Sequence, residues 1–288
     1  MRRQIGAVAS AGVRSAFPAA LFSLLGISCG QTTASGAIAE LRSQCESGRA
    51  EQCTRLGGIF DRGDGVQKDR NEAAALYRLG CDKGDTWGCV NLGLSTEAGL
   101  GVASDPQAAA ELYLKACDGG NADGCFKLAA LHDSSGPVAQ QNPARAMTFY
   151  ARACDAAMVA GCTRLADLYR QGGPELLEDH GRAVQLYQQA CKGDDAVACL
   201  SLARIYQQQN GRDPGDGEDP EQLIGKGMRM LDAQCELGRA GECLLLGVVF
   251  DEGIVVPTDS LRARQYYRRS CDLGNSGACA WASGSPKG

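Results

Sequence analysis

The sequence predicts an all-α solenoid of helical hairpins, and three observations carry that prediction. Fourteen of its 15 cysteines fall into pairs with seven residues between the members. The first cysteines of successive pairs lie 36, 36, 37, 37, 44 and 36 residues apart, a period typical of helix–turn–helix arrays. Between the pairs, apolar residues recur at helical spacing and are interrupted by glycine turns.

The pairs are Cys45 with Cys53, Cys81 with Cys89, Cys117 with Cys125, Cys154 with Cys162, Cys191 with Cys199, Cys235 with Cys243, and Cys271 with Cys279. In the stretch CDKGDTWGC (81–89), an unbroken helix would hold the two cysteines about 12 Å apart. A disulfide needs Cα atoms roughly 4.4–6.8 Å apart, so a bond requires the chain to turn back. Gly84 is placed to end one helix in the left-handed conformation, and Asp85 and Thr86 to start the next. Zinc would need closer cysteine pairs or histidine partners, and the chain has only His132 and His180, in unrelated places. No metal ligands are expected.

The N-terminus indicates the redox compartment. Residues 1–28 hold three arginines, no acid and the apolar run AFPAALFSLLGIS, and Cys29 follows at once. That is the layout of a secretory signal. LLGISC also resembles a bacterial lipobox, with Gly26 where leucine is usual, so acylation is expected on Cys29, the one cysteine outside the pairing. Export implies an oxidising compartment, and the seven pairs are expected to be disulfides. Loss of residues 1–28 moves the formal charge from −5 to −8, which argues against nucleic acid as a partner.

The organisation follows in order: a signal over 1–28, a tether over 29–33, a solenoid over 34–284 and a tail over 285–288. The solenoid is expected to open with a lone second-type helix (34–46), hold six hairpins (49–272) and close with a short helix (276–283). In each hairpin, the stripe of helix A is counted from the second cysteine. Leucine stands three positions on (Leu56, Leu92, Leu128, Leu165, Leu202, Leu246), and a small residue four on (Gly57, Gly93, Ala129, Ala166, Ala203, Gly247). An aromatic often stands seven on, as at Phe60, Tyr169, Tyr206 and Phe250. These positions form one stripe, whose small member admits a neighbouring helix.

Helix B follows a turn such as RGDGV (62–66), with Asp69, Asp105, Asn142 and Asp179 as N-caps or first-turn residues. It carries a tyrosine four residues before its cysteine: Tyr77, Tyr113, Tyr150, Tyr187 and Tyr267. In MRMLDAQC (228–235) methionine is read in its place, and the eight extra residues of that repeat are assigned to the polar loop NGRDPGDGEDP (210–220).

From Cys53 to Cys81 the pattern C-x2-L-G-x2-F-x2-G-x-G-V-x-K-D with a later L-Y-x3-C resembles the Sel1-like repeat, a variant of the tetratricopeptide repeat. An exported chain with C-x7-C in every repeat is similar to the Helicobacter cysteine-rich proteins. The resemblance implies a right-handed solenoid with helices A lining a concave face and a protein or peptide as ligand. Some of those relatives are described as β-lactamases or penicillin-binding proteins, which keeps a hydrolase as the alternative. The S-x-x-K and K-T-G motifs of that chemistry are absent here. No catalytic residue and no cofactor are expected.

Tetratricopeptide relatives contact ligands partly through the position eight after the second cysteine. It holds Asp61, Glu97, Asp133, Arg170, Gln207 and Asp251. Four acids near helix C-termini oppose the helix dipole and suggest a basic partner. Trp87, in a small and polar stretch, is a further candidate contact. The expected protein is a monomer, lipid-anchored in the cell envelope, with the outer membrane as the expected site because Gly30 rather than Asp follows Cys29.

Overall fold

The computed structural model describes residues 34–133, 142–172, 178–208 and 219–283. These form fourteen helices and no strand. α1 (Ala34–Glu46) precedes six hairpins: α2 (Ala50–Arg62) with α3 (Arg70–Asp82), α4 (Thr86–Ala98) with α5 (Pro106–Asp118), and α6 (Ala122–His132) with α7 (Pro143–Asp155). Then come α8 (Val159–Gln171) with α9 (His180–Lys192), α10 (Ala196–Gln208) with α11 (Pro220–Glu236), and α12 (Ala240–Glu252) with α13 (Ser260–Asp272). α14 (Ser276–Ala282) follows the last hairpin. Each helix packs on the next in series, as in a solenoid. α2 also meets α4, and α4 meets α6.

Local chemistry sets the helix ends. Asp69 accepts from the backbone N–H of Asn71 and Glu72, and Asp105 does the same for Gln107 and Ala108. Asn142 and Asp179 cap α7 and α9 through Arg145 and Arg182. At the other end, helix B reverses within the C-x7-C segment, where the residue three after the first cysteine is left-handed. Gly48, Gly84, Gly120, Gly238 and Gly274 hold that place at φ between +84° and +103°. Ala157 and Asp194 take it at +62° and +64° without being glycine.

The reversal brings the paired Cα atoms to 4.5–4.8 Å, and each cysteine is bonded to the one eight positions away. Cys45 is bonded to Cys53 at the α1–α2 turn, Cys81 to Cys89 at the α3–α4 turn, and Cys117 to Cys125 at the α5–α6 turn. Cys154 is bonded to Cys162, Cys191 to Cys199, Cys235 to Cys243 and Cys271 to Cys279 at the four later turns. Each bond therefore joins the end of one helix B to the first turn of the next helix A. The second cysteine of each pair lies inside helix A, three residues past its first: Cys89, Cys162, Cys199 and Cys243 are the fourth residues of α4, α8, α10 and α12. Helix A thus begins inside the loop that the bond closes, at Thr86 in α4 as Asp85 and Thr86 predict.

The core repeats one contact. The helix-B tyrosine packs its ring against the small residue of helix A in the same hairpin. A Cβ on Gly57 would stand 2.8 Å from the Tyr77 ring, and one on Gly93 2.5 Å from the Tyr113 ring. Ala129, Ala166, Tyr150 and Tyr187 are fully buried in the corresponding places.

The fifth hairpin departs from this. In regular repeats the residue just before the first cysteine abuts the start of the preceding helix A. A Cβ on Gly80 would lie 3.3 Å from the Ala50 carbonyl oxygen, and the Ser270 hydroxyl donates to the Ala240 carbonyl oxygen at 2.7 Å. In α11 the equivalent residue is Gly227, whose Cβ would stand 3.0 Å from the Ala196 carbonyl oxygen and 2.9 Å from Leu200. Gly227 precedes Cys235 by eight residues instead of one, so α11 has slipped by seven residues, about two turns. Two expectations are corrected here. Leu231, not methionine, stands four before Cys235, and it is buried. The extra residues are not all in the loop: α11 has 17 residues against 13 in the other helices B of the hairpins, and Pro220 is its first. Residues 210–218 lie outside the described residues.

Candidate functional site

The acids eight after the second cysteine are half-buried and engaged inside their own hairpins. The Tyr113 hydroxyl donates to Glu97 Oε2 at 2.7 Å, Tyr267 donates to Asp251 at 3.2 Å, and Tyr150 to Asp133 at 3.5 Å. Asp61 lies near Tyr77 and pairs with Arg70 at 3.6 Å. Burial first, then the acid, pushes each tyrosine up, Tyr150 to about 12. In the fourth hairpin position eight is Arg170, and the acid stands one turn earlier. Tyr187 there donates to Asp167 at 2.5 Å and accepts from Arg170 Nε at 3.3 Å. Burial raises the Asp167 pKa, against the hydrogen bond from Tyr187 and the charges of Arg164 and Arg170.

The other expected contacts are dispersed. Gln207 is exposed and donates to the Val255 carbonyl oxygen at 3.4 Å, reaching the turn of the next hairpin. Trp87 is 52% exposed in the first turn of α4. His132 is buried and stacks on Phe149 with centroids 6.1 Å apart. Cys29 lies outside the described residues, and among those described no helix is long and apolar enough to cross a membrane.

Cationic side chains tie successive hairpins along the disulfide edge. Arg152 donates to the Cys117 carbonyl oxygen at 2.9 Å and to Asp118 at 3.0 Å. Lys226 repeats this in α11, donating to the Cys191 carbonyl oxygen at 2.7 Å and pairing with Asp194 at 3.3 Å. Both stand one residue before the residue that abuts helix A, which independently fixes the slip of α11. Because α11 runs two turns past this point before its disulfide, α12 is attached farther along. A groove of about 920 Å³ opens between the start of α10, the last turns of α11 and the start of α12. The sequence reading missed it. Its available signal was Gln234, which precedes Cys235 where Gly80, Ala116, Ala153, Ala190 and Ser270 precede theirs.

A model described as the Sel1 repeat matches residues 52–85, 88–121, 122–158, 159–195 and 231–275, well over half of the chain. The chain belongs to the Sel1 repeat family. Its disulfide-paired repeats fit the Helicobacter cysteine-rich type of Sel1 protein. No curated protein matches the sequence. Among solved structures, this Sel1 protein is similar to a protective antigen of uropathogenic Escherichia coli displaying an SLR fold. That match has a TM-score of 0.63 and 23% identity, and covers 86% of this chain and 51% of the other. The chain thus spans about half the length of that antigen. A Sel1 repeat protein from Oxalobacter formigenes is similar at TM-score 0.59 and 22% identity over 82% of this chain and 99% of that one. At these identities the likeness shows the fold alone. As a Sel1 repeat protein the chain has an interaction scaffold, and its seven disulfides suggest an oxidising, exported setting.

Proposed function

We propose that this Sel1 protein is an envelope scaffold, exported by its N-terminal signal and acylated on Cys29, that holds a protein or peptide on the face lined by α2, α4, α6, α8, α10 and α12. The supporting observation is the series of hairpins, each packed on the next and stapled to it by a disulfide, which repeats helix A along a rigid frame. Position eight, with Asp61, Glu97, Asp133, Arg170, Gln207 and Asp251, is the proposed row of contacts, and Trp87 an outlying one. A carboxylate that accepts one tyrosine hydroxyl keeps lone pairs for a second donor, so a basic partner remains compatible with the acids.

Two experiments test the proposal. Cys29→Ser should move the protein from the membrane fraction to the soluble one; a wild type already soluble after lysis overturns the anchor. Cross-linking in the native envelope should recover one dominant partner. Changing Asp61, Glu97, Asp133 and Asp251 together to Asn or Gln should weaken its capture and flatten its salt dependence. Unchanged capture and salt slope move binding off this row.

A further inference from the structure

From the slip of α11 we infer a second docking site: the groove between α10 and α12 seats an extended peptide segment with one apolar side chain flanked by carboxylates. The inference rests on the scaffold reading and adds a place and a ligand chemistry that the family does not specify.

The groove is built by the step in the stack. Ala160, Ala196, Ala233 and Gly241 leave its walls thin, while Met230 and Leu245 give it apolar surface. Val197, 39% exposed, stands at its margin. A volume of about 920 Å³ lies in the upper part of the range for ligand sites. A smaller space of about 320 Å³ shares Ala160, Asp195 and Val197 with it and continues toward Phe126 and Arg164. The two together offer length for an extended chain, not a compact ligand.

Charge selects the occupant. The acids on the α10 side are already committed: Asp194 pairs with Lys226 at 3.3 Å, and Asp195 caps α10 through the Ala198 N–H at 2.8 Å. Glu242 stands in the first turn of α12, facing the positive end of that helix. Arg229 and Arg239 are exposed in the lining and make no ion pair among the described residues. Two unengaged guanidiniums match carboxylates in bidentate geometry.

The test is a random dodecapeptide display selection on the purified, disulfide-bonded chain. One recovered peptide is then labelled and titrated by fluorescence anisotropy. The selected pool should be rich in Asp and Glu around a single Leu, Met or Phe. Arg229→Glu with Arg239→Glu should weaken the titrated peptide by at least about tenfold. Ala233→Trp, an exposed position, should block the groove with little change in melting point. A pool without acidic bias, or affinity unchanged in both variants, overturns the proposal. Affinity that falls instead with the four-acid variant of the inner face also overturns it and leaves the scaffold reading standing. No enrichment overturns it too, and the envelope cross-linking then decides the scaffold reading separately.

Discussion

The Tyr113 hydroxyl donates to Glu97 Oε2 across 2.7 Å and joins the two helices of one hairpin at their buried seam. The Tyr187–Asp167 pair shows that this is the seam's own requirement. Where Arg170 occupies the usual acid position, the acid appears one turn earlier and still receives the hydroxyl. The seam therefore explains why acids stand near helix C-termini against the dipole.

Tyr113→Phe should destabilise the fold by about 1–2 kcal/mol, because it strips a half-buried carboxylate of its donor. Glu97→Gln, which keeps an acceptor, should cost less. Chemical denaturation of both variants checks the order; equal and negligible losses would mean that the pair contributes nothing.

The same tyrosines predict an alkaline transition. Burial and the neighbouring acids raise their folded pKa above the ordinary value of about 10, Tyr150 to about 12. A raised folded pKa means that the stabilisation is complete below pH 10 and is lost as pH rises toward 12 and beyond. Melting temperature should fall over that window, and fall less in a variant carrying Phe at 113, 150 and 187. Identical slopes in the two proteins refute the assignment.

Ala157 sits at φ +62° where most equivalent positions are glycine. Left-handed geometry costs an L-residue roughly 1–2 kcal/mol, and glycine returns part of this as chain entropy. Ala157→Gly should raise stability by up to about 1 kcal/mol. Asp194→Gly should not, because it also removes the partner of Lys226. Thermal melts of the two variants decide it.

Reduction should begin at one end. Cys271 and Cys279 are half-buried, whereas the other twelve paired cysteines are buried. Limiting reductant followed by alkylation and peptide mapping should label this pair first. First labelling at a central pair such as Cys117–Cys125 contradicts the ranking.

The repeat period, the disulfide pairing, the caps and the helix types were legible in the sequence by itself. Each depends on residues within one repeat: a cysteine reaches its partner through a seven-residue turn, and Asp69 caps the helix that begins beside it. The tertiary structure alone decided two things. The first is the partner of the Tyr113, Tyr150, Tyr187 and Tyr267 hydroxyls, which lies sixteen to twenty residues away across the hairpin. The second is the slip of α11. Aligned on its cysteine, that repeat looks merely longer, because the register of a helix against its neighbour is set by close packing rather than by sequence offset. Gly227 fits against Ala196 and Leu200, while Gln234 is too large for the place the cysteine count assigns it. The two turns left over after that fit open the groove.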